Sequence, residues 1–398
     1  MIKNITDVKG FKCWGAHIGI KSKRRDLAII YSEKECSAAT VFTRNKVFAE
    51  PVRLSRENIK SGIAQAIVIN SGNANACTGK QGFEGAMAMA KTTSDLLHIP
   101  LESVIVSSTG IIGEPFPTEK VVTGIKENIS KLTKRSIAGS LTANAILTTD
   151  TFPKEGFVEF KVDDKEINMA GIAKGSGMIH PNMGTMLGFI VCDIAIDSKL
   201  LNEALKTITE DTFNMINVDG DTSTNDMVAV LCNGMAGNKI ITKKDQNYLT
   251  FYEKLENMCK HLAKLIVSDG EGATKFIEYE VNGAKDNEEA KKIVKTISDS
   301  KLVQTAIFGQ DPNWGRIVAA AGRSGADIEL EKVDLWVCKI MLLENGQPIS
   351  TNKKTLKRKM KESEIHVKLD LKLGKGKAIG WGADISYEYI RINAEYTT

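Results

Sequence analysis

Apolar residues recur three or four positions apart in several stretches of the chain, which is the spacing of one face of an α-helix. In the first half this pattern predicts a helix over about 82–98. In the second half it predicts helices over 198–213 and 247–266, and another that begins after Asp286. We expect Asp286 and Glu289 to cap that helix reciprocally, because they have the spacing of a capping box.

Shorter apolar runs, several of them rich in β-branched residues, predict strands. They are 27–30, 39–42, 66–69, 103–107, 185–196, 226–232, 302–308 and 334–342. Residues 109–115 have the composition of a turn. The two periodicities together predict a mixed α/β (α+β) fold, in which layered antiparallel sheets carry flanking helices.

The composition is that of an ordinary globular protein. Of 398 residues, 42% are apolar and 26% are charged, and the net charge of +4 is too small for a dedicated nucleic-acid or membrane-surface protein. Residues 353–361 carry six basic side chains and no acid, so polyanion binding is an alternative interpretation of this run. Because no aromatic residues are interleaved for base stacking, we interpret it as a solvated helix or loop and expect no nucleic-acid partner.

The cysteines and the N-terminal residues favour a cytoplasmic protein. Seven cysteines are an odd number and are widely scattered, which is typical of reduced thiols. No signal peptide is visible, and the longest nearly apolar stretch, 186–195, falls short of the roughly 20 residues that span a bilayer. Because that stretch is so short, we expect no membrane partner. The five histidines are equally dispersed, so we expect no metal site.

Polar, glycine-rich segments abut the predicted strands and helices, at positions where a core would require aliphatic residues. These segments are 70–79, 107–110, 148–151, 174–185, 219–226, 269–272 and 309–316. Each alone has the composition of a turn, but together they predict loops that converge on one site. Gly-x-Gly at 175–177 lacks the third glycine of a dinucleotide loop, and Gly-x-Ser-x-Gly is absent, so neither that loop nor a hydrolase nucleophile elbow is indicated.

Thr185 follows Gly184 and stands directly before the apolar run 186–192, which predicts a buried strand. This position suits a hydroxyl that attacks the preceding carbonyl carbon. An N-to-O acyl shift and ester hydrolysis would then leave Thr185 as a new N-terminus. Its α-amine, with an ordinary pKa of about 7.7–8.0, would act as base for its own hydroxyl. The alternative is that Thr185 simply begins a strand, which β-branched residues favour.

Several long motifs occur in a characteristic order. The most specific is Lys-Gly-Ser-Gly-Met-Ile-x-Pro-Asn-Met-small-Thr-Met-Leu at 174–187. Others are Asn-Ser-Gly-Asn-Ala-Asn-Ala-Cys-Thr-Gly, Asp-Gly-Asp-Thr-Ser-Thr-Asn-Asp, Gly-Gln-Asp-Pro-Asn-Trp-Gly-Arg and the final Arg-Ile-Asn-Ala-Glu-Tyr-Thr-Thr. Together they resemble the ornithine acetyltransferases of arginine biosynthesis, also called glutamate N-acetyltransferases, from about residue 9 to Thr398.

The resemblance implies an N-terminal-nucleophile-like enzyme that cleaves itself between Gly184 and Thr185. The products would be an alpha chain, 1–184, and a beta chain, 185–398, which fold together with a C-terminal lobe at about 280–398. Acetyl would pass from N-acetylornithine to glutamate through an acetyl-Thr185 ester, without a cofactor. The resemblance further implies a heterotetramer of two alpha and two beta chains. Two questions stay open. Acetyl-CoA could serve as a second acetyl donor, and the alternative activity is that of an N-terminal-nucleophile amidohydrolase.

The resemblance also assigns roles to residues of the site. The Thr109 hydroxyl and the Gly110 amide would form an oxyanion hole. The substrate-binding positions would be Thr148 (with Thr149 as the alternative), Lys174, Thr185, Glu271, Asn393 and Thr398. Lys174 would pair with a carboxylate and Glu271 with an ammonium group. Gly184 stands where alanine is more usual, and we interpret His180 as a loop residue instead of a proton shuttle.

Overall fold

The computed structural model describes residues 3–180 and 186–395, which contain fifteen strands and eleven α-helices. The strands are β1 (Phe11–Ala16), β2 (Leu27–Phe42), β3 (Ile63–Asn73), β4 (Val104–Ile111), β5 (Lys154–Val162), β6 (Lys165–Lys174), β7 (Leu187–Cys192), β8 (Ile216–Asn217), β9 (Met227–Cys232), β10 (Phe276–Ala284), β11 (Asp334–Val337), β12 (Ile340–Glu344), β13 (Gln347–Pro348), β14 (Glu364–Asp370) and β15 (Gly376–Ala383). The helices are α1 (Glu50–Asn58), α2 (Gly79–Leu97), α3 (Thr118–Asn128), α4 (Ser136–Ala145), α5 (Ser198–Asp211), α6 (Gln246–Ser268), α7 (Asn287–Ser298), α8 (Lys301–Phe308), α9 (Gly315–Gly322), α10 (Lys353–Lys359) and α11 (Tyr387–Ala394).

The first sheet has eight strands, in the order β4-β3-β2-β9-β7-β6-β5, with β1 also paired to β2. The strands predicted at 27–30 and 39–42 are one continuous strand of 16 residues, β2. Its first part pairs with β1, and its last part, from Ser37 to Phe42, pairs with β9. A single long strand therefore joins two regions of the sheet.

The second sheet has seven strands, in the order β13-β12-β11-β14-β10-β15-β8. Antiparallel pairing was predicted and is found for most neighbours, but β3 with β4, β7 with β9, β10 with β14 and β8 with β15 are parallel. Parallel neighbours need a crossover connection, and helices supply it; α2, for example, lies between β3 and β4 in the chain. The mixed α/β class with two sheets and flanking helices is as predicted.

The strand predicted after Thr185 is confirmed as β7, and all six of its residues are buried. Ile190 and Cys192 share a hydrophobic core with α5 and α6, whereas Phe189 and Val191 pack with residues of α4 on the opposite face. A strand covered on both faces reads as a continuous apolar run, which is why the sequence pattern detected it.

The predicted helices are found within a few residues of their expected ends. The 82–98 helix is α2, 198–213 is α5 and 247–266 is α6. Asp286 caps α7 by accepting a hydrogen bond from the Glu289 amide at 2.9 Å. The reciprocal half of the expected capping box is wrong: the cap of α7 consists of the Asp286 side chain alone, and Glu289 Oε2 is buried without a hydrogen-bond partner among the described residues.

The strand predicted over 302–308 is wrong, since these residues form helix α8. Ser300 caps its first turn, and Val303, Ala306 and Ile307 form its buried face while Leu302 points to solvent. The expected turn at 109–115 begins later, because β4 continues to Ile111 alongside β3. Residues 334–342 hold two strands, β11 and the start of β12.

The basic run at 353–361 is largely helical, as α10. Its apolar residues Leu356 and Met360 are buried, and most of its basic side chains face solvent, so the interpretation as a solvated helix is confirmed. Among the described helices, none combines the length and the apolar composition needed to cross a membrane.

Candidate active site

One cleft, with a volume of about 190 Å³, brings together six of the residues to which the resemblance assigns roles. They are Thr109, Gly110, Thr148, Lys174, Glu271 and Asn393. Thr149, the alternative to Thr148, lines the same cleft, as do Ile112, Gly177, Met178, Met186, Leu187, Ser223, Asn225 and Asp226. Residues almost 300 positions apart in sequence therefore meet in one cavity, as the convergence of polar loops predicted.

Two of the seven polar segments do not line this cleft. Residues 309–316 comprise the turn between α8 and α9 and the first two residues of α9, and 311–314 border a different, apolar cavity. Residues 70–73 form the end of β3, which pairs with β4, and Gly72 and Asn73 border a neighbouring cavity. The predicted convergence was thus correct for five segments, and the other two share their polar composition for local reasons of turn geometry.

Gly184, Thr185 and Thr398 lie outside the described residues. The described residue that follows Thr185 in sequence is Met186, and it lines the cleft. The segment that carries the proposed nucleophile is therefore continuous in sequence with the cleft wall.

Thr109 and Gly110 stand at the end of β4, opposite Ser71 and Gly72 of β3. Gly110 has φ +134°, and a Cβ atom at this position would lie 2.3 Å from the Gly72 carbonyl carbon. Only glycine fits so close an approach of two backbones. The β3–β4 pairing thus holds a hydroxyl and a peptide unit side by side at the cleft wall.

Lys174, the last residue of β6, is the buried cation of the cleft, with 9% of its surface exposed. Its Nζ donates to Thr109 Oγ1 at 3.4 Å. Burial lowers the pKa of Lys174, and the Lys154 ammonium lowers it further, whereas the carboxylates of Asp150, Glu271 and Asp226 oppose this shift. A carboxylate ligand in the cleft would therefore meet a poorly hydrated ammonium group, which favours pairing.

A buried ion network that the sequence reasoning missed lies beneath the cleft. Lys154 is fully buried, and its Nζ contacts the carboxylates of Asp150, at 2.6 Å, and Asp269. Although burial raises the pKa of Asp150, the ammonium groups of Lys174 and Lys154 hold it down to about 2. Asp150 is therefore ionised at neutral pH and compensates the buried lysines.

Asp150 also connects two loops of the cleft. Its carboxylate accepts hydrogen bonds from the Thr148 amide at 2.9 Å and from the Gly175 amide at 2.7 Å. A second link joins the same loops, because the hydroxyls of Thr149 and Ser176 are 2.7 Å apart. Thr148 and Thr149 both border the cleft, so either hydroxyl is available there.

Glu271 and Asn393 also line the cleft and are joined to each other. The Asn393 side chain, on α11, donates to Glu271 Oε2 at 2.9 Å. The Glu271 amide in turn donates to the Ser176 carbonyl at 2.9 Å. A Cβ atom on Gly177 would lie 2.3 Å from the Glu271 carboxylate, so glycine at this position leaves room for the acid.

Asp226 is a cleft residue to which no motif assigned a role. It is 2% exposed, its Oδ2 has no hydrogen-bond partner among the described residues, and burial raises its pKa well above the ordinary value. Its neighbour Asn225 donates to the carbonyls of Ala74 and Ser108, at 2.6 and 2.8 Å, and so ties this loop to β4. The sequence signals for Asp226 were its place at the end of a polar loop before a buried strand and at the end of the Asp-Gly-Asp-Thr-Ser-Thr-Asn-Asp motif.

His180 does not line the cleft; its Nδ1 lies 3.2 Å from Asn217 Oδ1. This position agrees with its interpretation as a loop residue. Within 3–180 and 186–395, no three His, Cys, Asp or Glu side chains are grouped so that they could hold a metal ion.

Comparison with known proteins connects this site to a family. Residues 12–398 match the model of the ArgJ family. The arginine biosynthesis bifunctional protein ArgJ of Caldanaerobacter subterraneus subsp. tengcongensis is 49% identical over 394 residues, which is 98% of this chain and 97% of that protein. The protein of the same name from Thermotoga neapolitana is 47% identical over 397 residues, 98% of this chain and 99% of that protein.

Among solved structures, the arginine biosynthesis bifunctional protein ArgJ from Bacillus halodurans is 44% identical, with a TM-score of 0.50. The match covers 51% of this chain and 96% of that chain. The resemblance carried by the sequence motifs is therefore confirmed, and the chain belongs to the ArgJ family.

Proposed function

We propose that this chain is an acetyltransferase of arginine biosynthesis, which transfers the acetyl group of N-acetylornithine to glutamate through an ester on Thr185. One observation carries the proposal. Thr109, Gly110, Lys174 and Glu271, which come from three distant parts of the chain, line a single cleft beside the residue that follows Thr185. The relatives named above are described as bifunctional proteins of arginine biosynthesis, which supports the same conclusion.

The charges of the cleft suit amino-acid substrates. N-acetylornithine and glutamate both carry an α-carboxylate, which we assign to Lys174, the buried ammonium group of the cleft. Glu271, which lines the same cleft, is assigned to a substrate ammonium group, such as the side-chain amine of ornithine. A cation and an anion facing one small cavity thus select a ligand that carries both charges.

In the first half-reaction the Thr185 hydroxyl attacks the acetyl carbonyl carbon, and the Thr185 α-amine accepts its proton. The tetrahedral oxyanion receives hydrogen bonds from the Thr109 hydroxyl and the Gly110 amide. Collapse breaks the C–N bond, and the departing ornithine amine takes the proton. In the second half-reaction the glutamate amine attacks the ester in the same oxyanion hole, and Thr185 is regenerated.

Self-cleavage between Gly184 and Thr185 is part of this proposal, and the sheet order supports it. Strands β7 and β9, which follow the cut, lie between β6 and β2, which precede it. Chains 1–184 and 185–398 would therefore stay joined by backbone hydrogen bonds on both sides. The Bacillus halodurans structure also supports division of the chain, since 96% of that polypeptide corresponds to 51% of this one.

The C-terminal lobe proposed at about 280–398 has support from the second sheet, whose strands β10 to β15 lie between Phe276 and Ala383. We further propose that two alpha and two beta chains associate. Native mass spectrometry should then give twice the 43.5 kDa of one chain.

The central test combines mass and activity. Denaturing mass spectrometry of the purified protein should show two chains, one of which begins at Thr185, and the Thr185→Ala variant should remain one chain without activity. N-acetylornithine and glutamate should yield ornithine and N-acetylglutamate in equal amounts. A single intact chain with full activity in Thr185→Ala would refute the mechanism, and free acetate released as fast as ornithine would indicate an amidohydrolase instead.

A further inference from the structure

Self-cleavage needs a proton acceptor that acetyl transfer does not. During transfer the α-amine of Thr185 accepts the proton of its own hydroxyl. Before the cut that nitrogen belongs to the peptide bond with Gly184, and an amide nitrogen is not basic. Another group must therefore take the hydroxyl proton when Thr185 attacks the Gly184 carbonyl carbon. Among the described residues that line the cleft, the acidic and basic side chains are Lys174, Asp226 and Glu271.

Asp226 lies directly beside the residue that follows Thr185 in sequence. Strands β7 and β9 are parallel neighbours, with Leu187 opposite Met227. The Met227 amide donates to the Met186 carbonyl at 3.1 Å, so Met186 and Asp226 enter this pair of strands side by side. The Asp226 carboxyl group also accepts a hydrogen bond from the Met186 amide. It is thus held next to the peptide bond that joins Thr185 to Met186.

One oxygen of this carboxyl group is left without a hydrogen bond. Asp226 Oδ2 is buried and has no partner within 3–180 and 186–395. The backbone of the residue is nevertheless fixed, because the Thr43 amide donates to the Asp226 carbonyl at 3.0 Å. Buried polar atoms are almost always paired, since an unpaired one loses its hydration without compensation. A rigidly held acceptor with a vacant position is suited to receive a proton.

The surroundings of Asp226 make it a stronger proton acceptor than an ordinary aspartate. Burial raises its pKa well above 3.8, although the positive charge of Lys174 opposes this shift. A carboxylate with a raised pKa is a better general base. The other two charged groups of the cleft are engaged elsewhere: Glu271 Oε2 accepts from Asn393 at 2.9 Å, and Lys174 Nζ donates to Thr109 Oγ1 at 3.4 Å.

We infer that Asp226 is the general base of self-cleavage and that its Oδ2 accepts the proton of the Thr185 hydroxyl. This inference rests on the proposed cut between Gly184 and Thr185 and assigns the group that starts it. The role belongs to the uncut chain. Once the cut has released the α-amine of Thr185, that amine serves as the base for acetyl transfer.

The reaction is balanced in atoms and protons. The Thr185 hydroxyl oxygen attacks the Gly184 carbonyl carbon while the Asp226 carboxylate takes the hydroxyl proton. The tetrahedral intermediate then collapses with loss of the C–N bond, and Asp226 gives the proton to the departing nitrogen, which becomes the α-amine. One water molecule hydrolyses the resulting ester. Its oxygen stays on Gly184 as part of a carboxylate, and its two protons go to the Thr185 oxygen and to the new amine.

The test follows cleavage directly. Full-length wild type and Asp226→Asn are made by cell-free synthesis, samples are denatured at intervals, and mass spectrometry gives the fraction of intact 43.5 kDa chain. Asparagine keeps the shape of the side chain but is not a base. The control is Asp193→Asn, because Asp193 is a fully buried carboxylate directly after β7 that accepts from the Asn168 amide at 2.8 Å and does not line the cleft.

We expect Asp226→Asn to cleave at least about 10²-fold more slowly than the wild type, the usual contribution of a general base. Asp193→Asn should cleave at the wild-type rate. A second measurement bypasses the cut. Chains 1–184 and 185–398 are coproduced, the second with an initiator methionine that is removed to expose Thr185. With Asp226→Asn, these chains should recover the acetyl transfer that the uncut variant lacks, because the α-amine is already present.

Three results would overturn the inference and leave the proposed function intact. One is cleavage of Asp226→Asn at the wild-type rate. Another is equally slow cleavage of Asp193→Asn, which would show a general need for buried carboxylates. The third is a pair of coproduced Asp226→Asn chains that copurify but transfer no acetyl. A wild-type chain that stays uncut would instead contradict the proposed function itself.

Discussion

Asn393 Nδ2 donates a hydrogen bond to Glu271 Oε2 across 2.9 Å, and this bond attaches the last described helix to the wall of the cleft. Asn393 also donates to the Tyr389 carbonyl within α11, at 3.0 Å. The side chain is therefore held from both sides, and it orients the Glu271 carboxylate that we assign to the substrate ammonium group.

Removing this bond should weaken substrate binding more than catalysis. We expect Asn393→Ala to raise the KM for N-acetylornithine about fivefold, which corresponds to roughly 1 kcal/mol, the usual net value of one hydrogen bond. The control is Asn144→Ala, because Asn144 also lies exposed on a helix and donates to the carbonyl four residues before it, without contacting the cleft. The measurement is steady-state kinetics of both variants with N-acetylornithine. Equal KM values for Asn393→Ala and Asn144→Ala would count against a role for Asn393.

The oxyanion assignment of Thr109 predicts a loss in kcat. Thr109→Ala should lower kcat by about 10²–10³, since one oxyanion donor is lost in both half-reactions. Thr109→Ser keeps the hydroxyl and should retain most of the rate. Near-wild-type kcat in the alanine variant, with circular dichroism unchanged, would remove Thr109 from the oxyanion hole.

Gly110 and Gly113 offer a matched pair, because both have positive φ but different surroundings. A Cβ atom on Gly110 would overlap Gly72 and Asn73, whereas nothing lies within 4 Å of a Cβ atom on Gly113. We expect Gly113→Ala to cost about 1 kcal/mol of stability through its backbone conformation alone. Gly110→Ala should in addition displace β4 from β3 and abolish activity. Thermal unfolding and acetyl transfer of the two variants, measured side by side, test this; active Gly110→Ala protein would contradict it.

The buried network beneath the cleft predicts a large stability effect at Lys154. Lys154→Met would remove the ammonium group that contacts the buried carboxylates of both Asp150 and Asp269 and would leave only Lys174 to compensate Asp150, so we expect a loss of about 3–5 kcal/mol in the free energy of unfolding. Lys80→Met is the control, because Lys80 pairs with Glu84 at a side-chain exposure of 91% and should change stability by less than about 0.5 kcal/mol. Urea unfolding of both variants is the measurement; equal midpoints would show that the network does not stabilise the fold.

Asp226 predicts a stability difference that depends on pH. Burial raises its pKa in the folded state well above the ordinary value of 3.8, so its ionisation is more costly in the folded state than in the unfolded state. The wild type should therefore lose stability as the pH rises above about 4, until the folded pKa is passed. Asn cannot ionise, so the melting temperature of Asp226→Asn relative to the wild type should increase over that range. Thermal unfolding of both proteins from pH 4 to 9 tests this prediction. A difference in melting temperature that decreases as the pH rises would contradict it.

Several elements could be predicted because their signals are local. The run after Thr185 is apolar throughout, and β7 is buried on both faces. The cleft residues Thr109, Gly110 and Lys174 lie in segments whose glycines and polar side chains are unsuited to a core, and they do meet in one cleft. The roles of these residues stay predictions for the experiments above.

Other features had no local signal. The apolar run at 302–308 is too short for periodicity to separate a helix from a strand, and the cap at Ser300 together with packing of Val303 and Ile307 made it a helix. The burial of Lys154 depends on Asp269, which lies 115 residues further along the chain. Asp226 ends the Asp-Gly-Asp-Thr-Ser-Thr-Asn-Asp motif, but nothing in that motif indicates that its carboxyl is buried, and burial is what raises its pKa.

The sequence by itself determined the family, the main helices, the buried strand and several of the residues that border the cleft, because each of these depends on spacing and composition over a few neighbouring positions. Only the tertiary structure decided which strands run parallel and which charges are buried together. Those features depend on groups from distant segments that exclude water from one another, and the strength of each charge interaction depends on that exclusion.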